Sequence, residues 1–183
     1  MTTMNFELAR ALADYLRKHP AEASTEATFM RFLGSGGALF ERSHPPGHFT
    51  GSCWLVSADG ERVLLTHHRK LGRWLQLGGH ADGDADLAQV ALREAEEESG
   101  LVDLVVEPHI FDLDRHAIPA RGAEPEHWHY DVRFVVRATG SEEFAISEES
   151  LALAWKPVVG IAVDPASDES LRRMATKWLA RRC

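Results

Sequence analysis

The chain begins with two stretches whose apolar residues recur at helical spacing. Over residues 5–18, Leu8, Ala9, Leu12 and Leu16 fall on one face, as the 3.6-residue period of a helix requires. Residues 22–33, with Phe29, Met30, Phe32 and Leu33, predict a second helix. It is closed by the Gly34-Ser35-Gly36-Gly37 loop and the His44-Pro45-Pro46-Gly47 turn. The pattern then changes to strands. Residues 49–57 and 62–67 flank Asp59-Gly60, a dipeptide suited to a hairpin turn. Residues 74–77 read as a short strand running into Gly78-Gly79. Helical spacing returns over 85–99, where Leu87, Val90, Ala91 and Ala95 form the apolar face and Gly100 stands as the C-cap. Residues 104–113 and 128–138 predict further strands, and Trp155 begins a connection to a last helix. In that helix Leu171, Met174, Ala175, Trp178 and Leu179 share a face, while Arg172, Arg173, Lys177, Arg181 and Arg182 fill the others. Asp164-Pro165 marks its expected start, with Pro in the first turn. The sum is an α/β fold, a mixed sheet flanked by helices.

The polar positions of the helix over 85–99 carry the strongest chemical signal. Glu94, Glu97 and Glu98 stand at i, i+3 and i+4 and so share one face. A rise of about 1.5 Å per residue puts them within roughly 6 Å along the axis. At an effective dielectric near 20, two such carboxylates repel by about 3 kcal/mol, and the helix C-terminus disfavours negative charge as well. Hard oxygen ligands on one face suit Mg²⁺ or Mn²⁺. Electrostatics alone does not demand a cation, because a like-charge pair on a solvated helix costs only about 0.2–0.5 kcal/mol.

The pattern around these glutamates decides between the two readings. Arg93-Glu94-Ala95-x-Glu97-Glu98-x-Gly100-Leu101, following Gly79 at a fixed distance, closely resembles the signature of the Nudix hydrolases. In that family a glycine, five residues, a glutamate and seven residues lead into Arg-Glu-apolar-x-Glu-Glu-x-Gly-apolar. This chain departs once, with Ala85 at the isolated glutamate, flanked by Asp84 and Asp86. The resemblance implies an α/β/α sandwich, here with a helical extension over 1–45 and a core over 46–183, together a single domain spanning 1–183. It also implies metal-dependent hydrolysis of a phosphoanhydride in a nucleoside diphosphate linked to another moiety, or in a related nucleotide. Carried over by position, Glu94, Glu97, Glu98 and the Gly79 carbonyl are the expected ligands of Mg²⁺ or Mn²⁺. Arg93 is expected to orient a glutamate through an ion pair. The general base is one of these glutamates or an acid outside the box, for which Glu148 and Glu149 are candidates. Asp82, Asp84 and Asp86 could stand in for the missing glutamate, although aspartates are equally ordinary turn residues. Dimers are common in the family.

Two further segments alternate polar and apolar residues. Asp112, Asp114 and His116 alternate with Phe111 and Leu113, and His127, His129, Asp131 and Arg133 alternate with Trp128, Tyr130, Val132 and Phe134. Period two puts each polar set on one strand face. If the strands pair across a loop at 117–126, the two sets share a surface. That surface is either a solvated sheet face, a second metal site at His80, His127 and His129, or a substrate-binding face using His129, Asp131 and Arg133, with Arg133 as a phosphate contact. The basic cluster His67, His68, Arg69 and Lys70 is either a phosphate contact or an exposed hairpin end. Trp54, Trp74, Trp128, Phe40 and Tyr130 could stack a base, yet core packing is the simpler expectation for each.

Composition narrows the rest. With 183 residues and a net charge of −8, the chain can bury one core and lacks the basic excess that a nucleic-acid polymer would require. No apolar run reaches the roughly 18 residues of a membrane span, and the N-terminus has no secretory h-region. Cys53 and Cys183 fit no metal or redox spacing and are expected as reduced thiols in a cytoplasmic protein. Two other functions remain open. A Nudix-fold module could bind a nucleotide without cleaving it, although such modules usually lose box glutamates. Isopentenyl diphosphate isomerases share the fold, and His48 and Gly79-His80 resemble segments of theirs, with both histidines then candidate ligands. Those enzymes need a cysteine where this chain has Gly78.

Overall fold

The sheet is organised around strand β1, Gly47–Val56, every residue of which is buried. A computed structural model describes residues 3–69, 71–122, 125–145 and 150–181. In chain order, helix α1 (Thr3–Lys18), a 3₁₀ turn (Pro20–Glu22) and helix α2 (Ala23–Gly34) precede β1. Strands β2 (Arg62–His68), β3 (Arg73–Leu75) and β4 (Leu77–His80) follow, then helix α3 (Leu87–Ser99). Strands β5 (Leu104–Ile118), β6 (His127–Ala138) and β7 (Ser150–Pro157) lead into helices α4 (Val158–Val163) and α5 (Glu169–Ala180). The seven-stranded sheet runs β3-β2-β1-β6-β5, with β4 also paired to β1 and β7 to β2. It is mixed, because β1 and β6 are parallel while β4, β5 and β7 pair antiparallel.

Each face of the sheet has its own core. On one, Phe49, Cys53 and Leu55 of β1 and Tyr130, Val132 and Phe134 of β6 pack with Val90, Ala91 and Ala95 of α3. Leu8, Leu12, Tyr15, Phe29 and Phe32 of α1 and α2 join the same cluster, so the N-terminal helices pack on the sheet. On the other face Trp54, Val56, Val63 and Val135 meet Leu171, Met174 and Trp178 of α5. The expected α/β/α sandwich is therefore present. Gly51 lets α3 approach closely: a Cβ there would lie 2.8 Å from Val90 and 2.9 Å from the Leu87 carbonyl oxygen.

Several elements differ from the sequence pattern, each for a local reason. The single strand over 74–77 is two, because β3 pairs with β2 and β4 crosses to β1. Trp155 does not begin a connection; it lies in β7, facing Leu64 of β2. Asp164-Pro165 does not start the last helix. Asp164 closes the unexpected helix α4, and Asp168 caps α5 by accepting a hydrogen bond from the Ser170 N–H at 2.9 Å. Strand β5 runs on to Ile118, which pairs with His127, so the loop after it is shorter than expected. A register shift between Ile110 and Asp112 breaks the alternation, and Phe111 packs beside Trp54 and Trp178. The Asp59-Gly60 turn forms, but β1 and β2 meet in register only at Val56 and Val63. Among the described residues no helix is long and apolar enough to cross a membrane. Lys70, Glu148, Glu149, Arg182 and Cys183 lie outside the described residues.

Candidate active site

Helix α3 delivers its carboxylates to the bend of β4. Asp86 caps its N-terminus by accepting from the Gln89 N–H, and Gly100, at φ 67°, closes its C-terminus in the left-handed conformation. The apolar face over Leu87, Val90, Ala91 and Ala95 is buried against the sheet, which turns Glu94 and Glu98 towards β4. Glu98 accepts a hydrogen bond from the Gly78 N–H at 2.8 Å. Glu94 sits so close to Gly79 that a Cβ there would lie 2.4 Å from Glu94 Oε2. Glu97 is exposed. This bend is a cradle that only a residue without a side chain leaves open. The two carboxylates placed here, Glu94 and Glu98 beside a backbone glycine, are of the oxygen-donor type that suits a hard divalent cation.

Arg93 lies across the same loop. Its guanidinium is 3.8 Å from Glu94 and 3.7 Å from Asp84, and it donates to the His80 carbonyl at 3.3 Å. Asp84 also accepts from the Asp86 N–H at 2.9 Å. Asp82 pairs with Arg42 through two hydrogen bonds of 2.6 and 2.7 Å. The aspartates around Ala85 thus hold the loop and the helix start, and Asp84 reaches Arg93. Cys53, a free buried thiol beneath this region, is pushed well above its usual pKa by burial and then by Glu98 and Glu94.

The two alternating segments do pair, and the face they share is buried at Asp112, Asp131 and Arg133 but open to solvent at His116. Asp112 opposes Arg133, Asp114 opposes Asp131 and His116 opposes His129 across β5 and β6. Arg133 is 2% exposed and donates to Asp131 at 2.7 Å and to Asp112 at 3.2 Å. An open phosphate contact, the role the sequence suggested for Arg133, does not fit this burial. Thr50 and Ser52 of β1 donate to Asp131 at 2.9 and 2.7 Å. From α5, Arg173 and Lys177 reach Asp112, at 2.7 and 2.6 Å, and Arg173 also reaches Asp114. Burial works against ionisation of Asp112, but Arg173 and Arg133 outweigh it and hold the acid below the usual carboxylate range. Asp114 is likewise held low, by His116, Arg133 and Arg173 against its burial. Sequence reading missed Thr50, Ser52, Arg173 and Lys177. The first two sit at alternate positions of β1, a signal of period-two polarity in an otherwise apolar strand.

The same sheet face ends in histidines. His48, His80 and His129, from β1, β4 and β6, bring ligand atoms within 4.8 Å of one another, the one such group among the described residues. The sequence left open a site at His80, His127 and His129; the grouping found has His48 in place of His127. His127 adjoins it, with Nε2 3.3 Å from that of His129. His48 is fully buried, and neither ring nitrogen has a hydrogen-bond partner, a condition that costs about 1–3 kcal/mol per unpaired group. Burial, then His80 and His127, hold the His48 pKa down to about 4. Burial and the surrounding imidazoles also push His129 well down. The carboxylates, by contrast, turn to separate partners, Glu98 to the Gly78 N–H and Glu94 towards Arg93.

The aromatic residues behave as packing. Trp54 and Tyr130 are buried, and Tyr130 stacks on Phe32 at 3.8 Å. Phe40 stacks on Phe49, Trp74 lies under Lys156 and Trp128 under Arg115. His67 packs against Trp74, and Arg69 is exposed.

A family profile for the NUDIX domain matches residues 48–178. The chain belongs to the Nudix family. Members generally use divalent metal ions, and the family makes this chain a pyrophosphohydrolase in general class. Solved structures share the fold at low identity. An Ap4A hydrolase from C. elegans is 17% identical, with TM-score 0.58, covering 73% of this chain and 96% of its own. The dihydroneopterin triphosphate pyrophosphohydrolase of E. coli is 16% identical, with TM-score 0.55, over 73% of this chain and 95% of that one. The NUDIX domain of Shewanella oneidensis NrtR, complexed with ADP ribose, is 18% identical, with TM-score 0.53, over 84% and 97%. A search among curated proteins gave no match.

Proposed function

We propose that this Nudix protein is a metal-dependent hydrolase of a phosphoanhydride bond in a nucleoside diphosphate linked to another moiety, or in a related nucleotide. The observation that carries the reading is the meeting of Glu94 and Glu98 with the Gly78-Gly79 bend of β4, beside the exposed Glu97. Glu94, Glu97, Glu98 and the Gly79 carbonyl would hold Mg²⁺ or Mn²⁺. When bound, that cation supplies positive charge to the phosphoryl oxygens and to the leaving group.

The remaining work falls to the chain's own groups. Arg93 keeps Glu94 and the loop in register through Asp84 and the His80 carbonyl. A box carboxylate takes a proton from the attacking water. Water adds to phosphorus as the bridging oxygen leaves, so each product ends in a phosphate group. Arg133, buried with Asp131 and Asp112, acts as a positioning residue that fixes β6 beneath the substrate face. His129, on the same strand and only partly buried, is placed where it can reach a ligand.

The names of the structural relatives suggest where to look. One hydrolyses Ap4A and another a pterin triphosphate, while the NrtR domain was crystallised with ADP ribose. Purified protein with Mg²⁺ and then Mn²⁺ should be offered dinucleoside polyphosphates, nucleotide sugars, ADP ribose, nucleoside triphosphates and isopentenyl diphosphate in ¹⁸O-enriched water. Metal-dependent products with ¹⁸O in a phosphate group are expected from one of the phosphoanhydride classes. Binding without turnover would favour a nucleotide-sensing module, and double-bond migration in isopentenyl diphosphate would favour an isomerase.

A further inference from the structure

We propose that His48, His80 and His129 form a second metal site, one that takes a borderline divalent cation such as Zn²⁺ and is separate from the carboxylate cradle. Three observations meet here. Their ligand atoms lie within 4.8 Å of one another, a spacing that one tetrahedral ion can span with small side-chain adjustments. Ring centroids are 4.7 Å apart for His48 and His129, 5.1 Å for His48 and His80, and 5.2 Å for His80 and His129, so the three imidazoles close around a common point. His48 is fully buried with both ring nitrogens unpartnered, whereas Asp131 and Arg133 on the same sheet face are hydrogen-bonded.

The donor type separates the two sites. Imidazole nitrogens bind Zn²⁺, Ni²⁺ or Cu²⁺ and scarcely bind Mg²⁺, whereas carboxylate and carbonyl oxygens accept Mg²⁺ and Mn²⁺ readily. Geometry separates them too. Gly79 and His80 are consecutive in β4, so they face opposite sides of the strand. Gly79 turns to Glu94, and His80 turns to His48 and His129. The two cations would sit back to back across one peptide unit.

The triad is three ligands and not four, and His80 and His129 are only partly buried. An ion held there keeps one position open to water or to an anionic group, as three-ligand zinc sites do. His127 is placed to support it: its Nδ1 lies 2.9 Å from the Pro125 carbonyl oxygen, which fixes the proton on that nitrogen and turns the Nε2 lone pair to His129. The ion would also clamp β1, β4 and β6 together at the end of the sheet that carries the glycine bend.

The test uses metal alone and needs no substrate. Metal-free full-length protein is loaded with Zn²⁺ or Co²⁺, dialysed and analysed for bound metal, with the visible bands of bound Co²⁺ reporting nitrogen coordination. Wild type and Glu97→Gln should each retain one equivalent and show the same Co²⁺ bands. His129→Asn and His80→Asn, both at partly exposed positions, should bind at least about tenfold more weakly, with circular dichroism reporting that they remain folded. Retention of no Zn²⁺ by wild type would overturn the site, as would unchanged retention in both folded histidine variants. Loss in Glu97→Gln with retention in the histidine variants would assign the ion to the carboxylates instead. Because Glu97→Gln removes the proposed hydrolysis without touching the triad, failure of one proposal does not carry the other with it.

Discussion

Gly79 shows how one missing side chain leaves room for a carboxylate. Its Cα faces Glu94 so closely that the Cβ of an alanine would lie 2.4 Å from Oε2 and 2.6 Å from Cδ. Gly79→Ala must therefore displace the carboxylate, and a misplacement of about 1 Å at a reacting centre costs on the order of 10²-fold in rate. Steady-state kinetics of this variant should show that loss in kcat, while its thermal midpoint moves little. Arg133 makes the converse point. The sequence marked it correctly as a charged residue among aspartates, but period two cannot tell a face open to water from one roofed by α5. Arg133→Met leaves Asp112 and Asp131 buried without their central partner, so urea denaturation should register a loss of about 3–5 kcal/mol. A phosphate-binding arginine would instead raise KM and leave stability unchanged.

The box helix was legible as an element because the signals read for it, an apolar face and a terminal glycine, are local; its start lies two residues later than the pattern's 85, at Leu87, because Asp86 caps it. Gly100 adopts φ 67°, and a Cβ added there would come to 3.2 Å from Ala145. Gly100→Ala should thus cost about 1–2 kcal/mol, measured by chemical denaturation, with the larger loss falling on activity if the helix end shifts Glu97 and Glu98. The elements misread were those whose identity depends on distant partners. Strand β7 has an apolar alternation too short to stand out, and it is a strand because β2 offers it an edge. The break at Gln76 is likewise set by two different neighbours, β2 for β3 and β1 for β4. The start of α5 was misplaced because Asp164-Pro165 and Asp168 carry the same local signal, and only the packing of α4 separates them.

Across the whole molecule, the face beneath α5 is a single polar seam running from the histidines through Asp131 and Arg133 to Asp112, Arg173 and Lys177. The sequence held its members in two lists, strand and helix, and the fold joins them; the helix basic residues read as surface because their partners are on β5. The seam gives stability a definite pH dependence. Asp112 and Asp114 are held below their ordinary range, since arginine contacts outweigh burial. In the unfolded chain they titrate near about 4. Below that pH the unfolded state binds protons that the folded state refuses, so stability rises with pH there. Their contribution is fully present above about pH 5 and is lost as pH falls through 4 towards the depressed folded values. The urea midpoint should accordingly drop steeply below pH 4, and the drop should be smaller in Asp114→Asn than in wild type.

The glutamates on α3 are proposed to serve metal-dependent hydrolysis. This role is tested most directly by Mg²⁺ titration of turnover on the best substrate of the panel, with wild type and Glu97→Gln measured side by side. Saturable Mg²⁺ activation of wild type is expected, with a loss of at least about 10²-fold in kcat for Glu97→Gln and the fold intact. Turnover that is indifferent to Mg²⁺, or undiminished in Glu97→Gln, would contradict it.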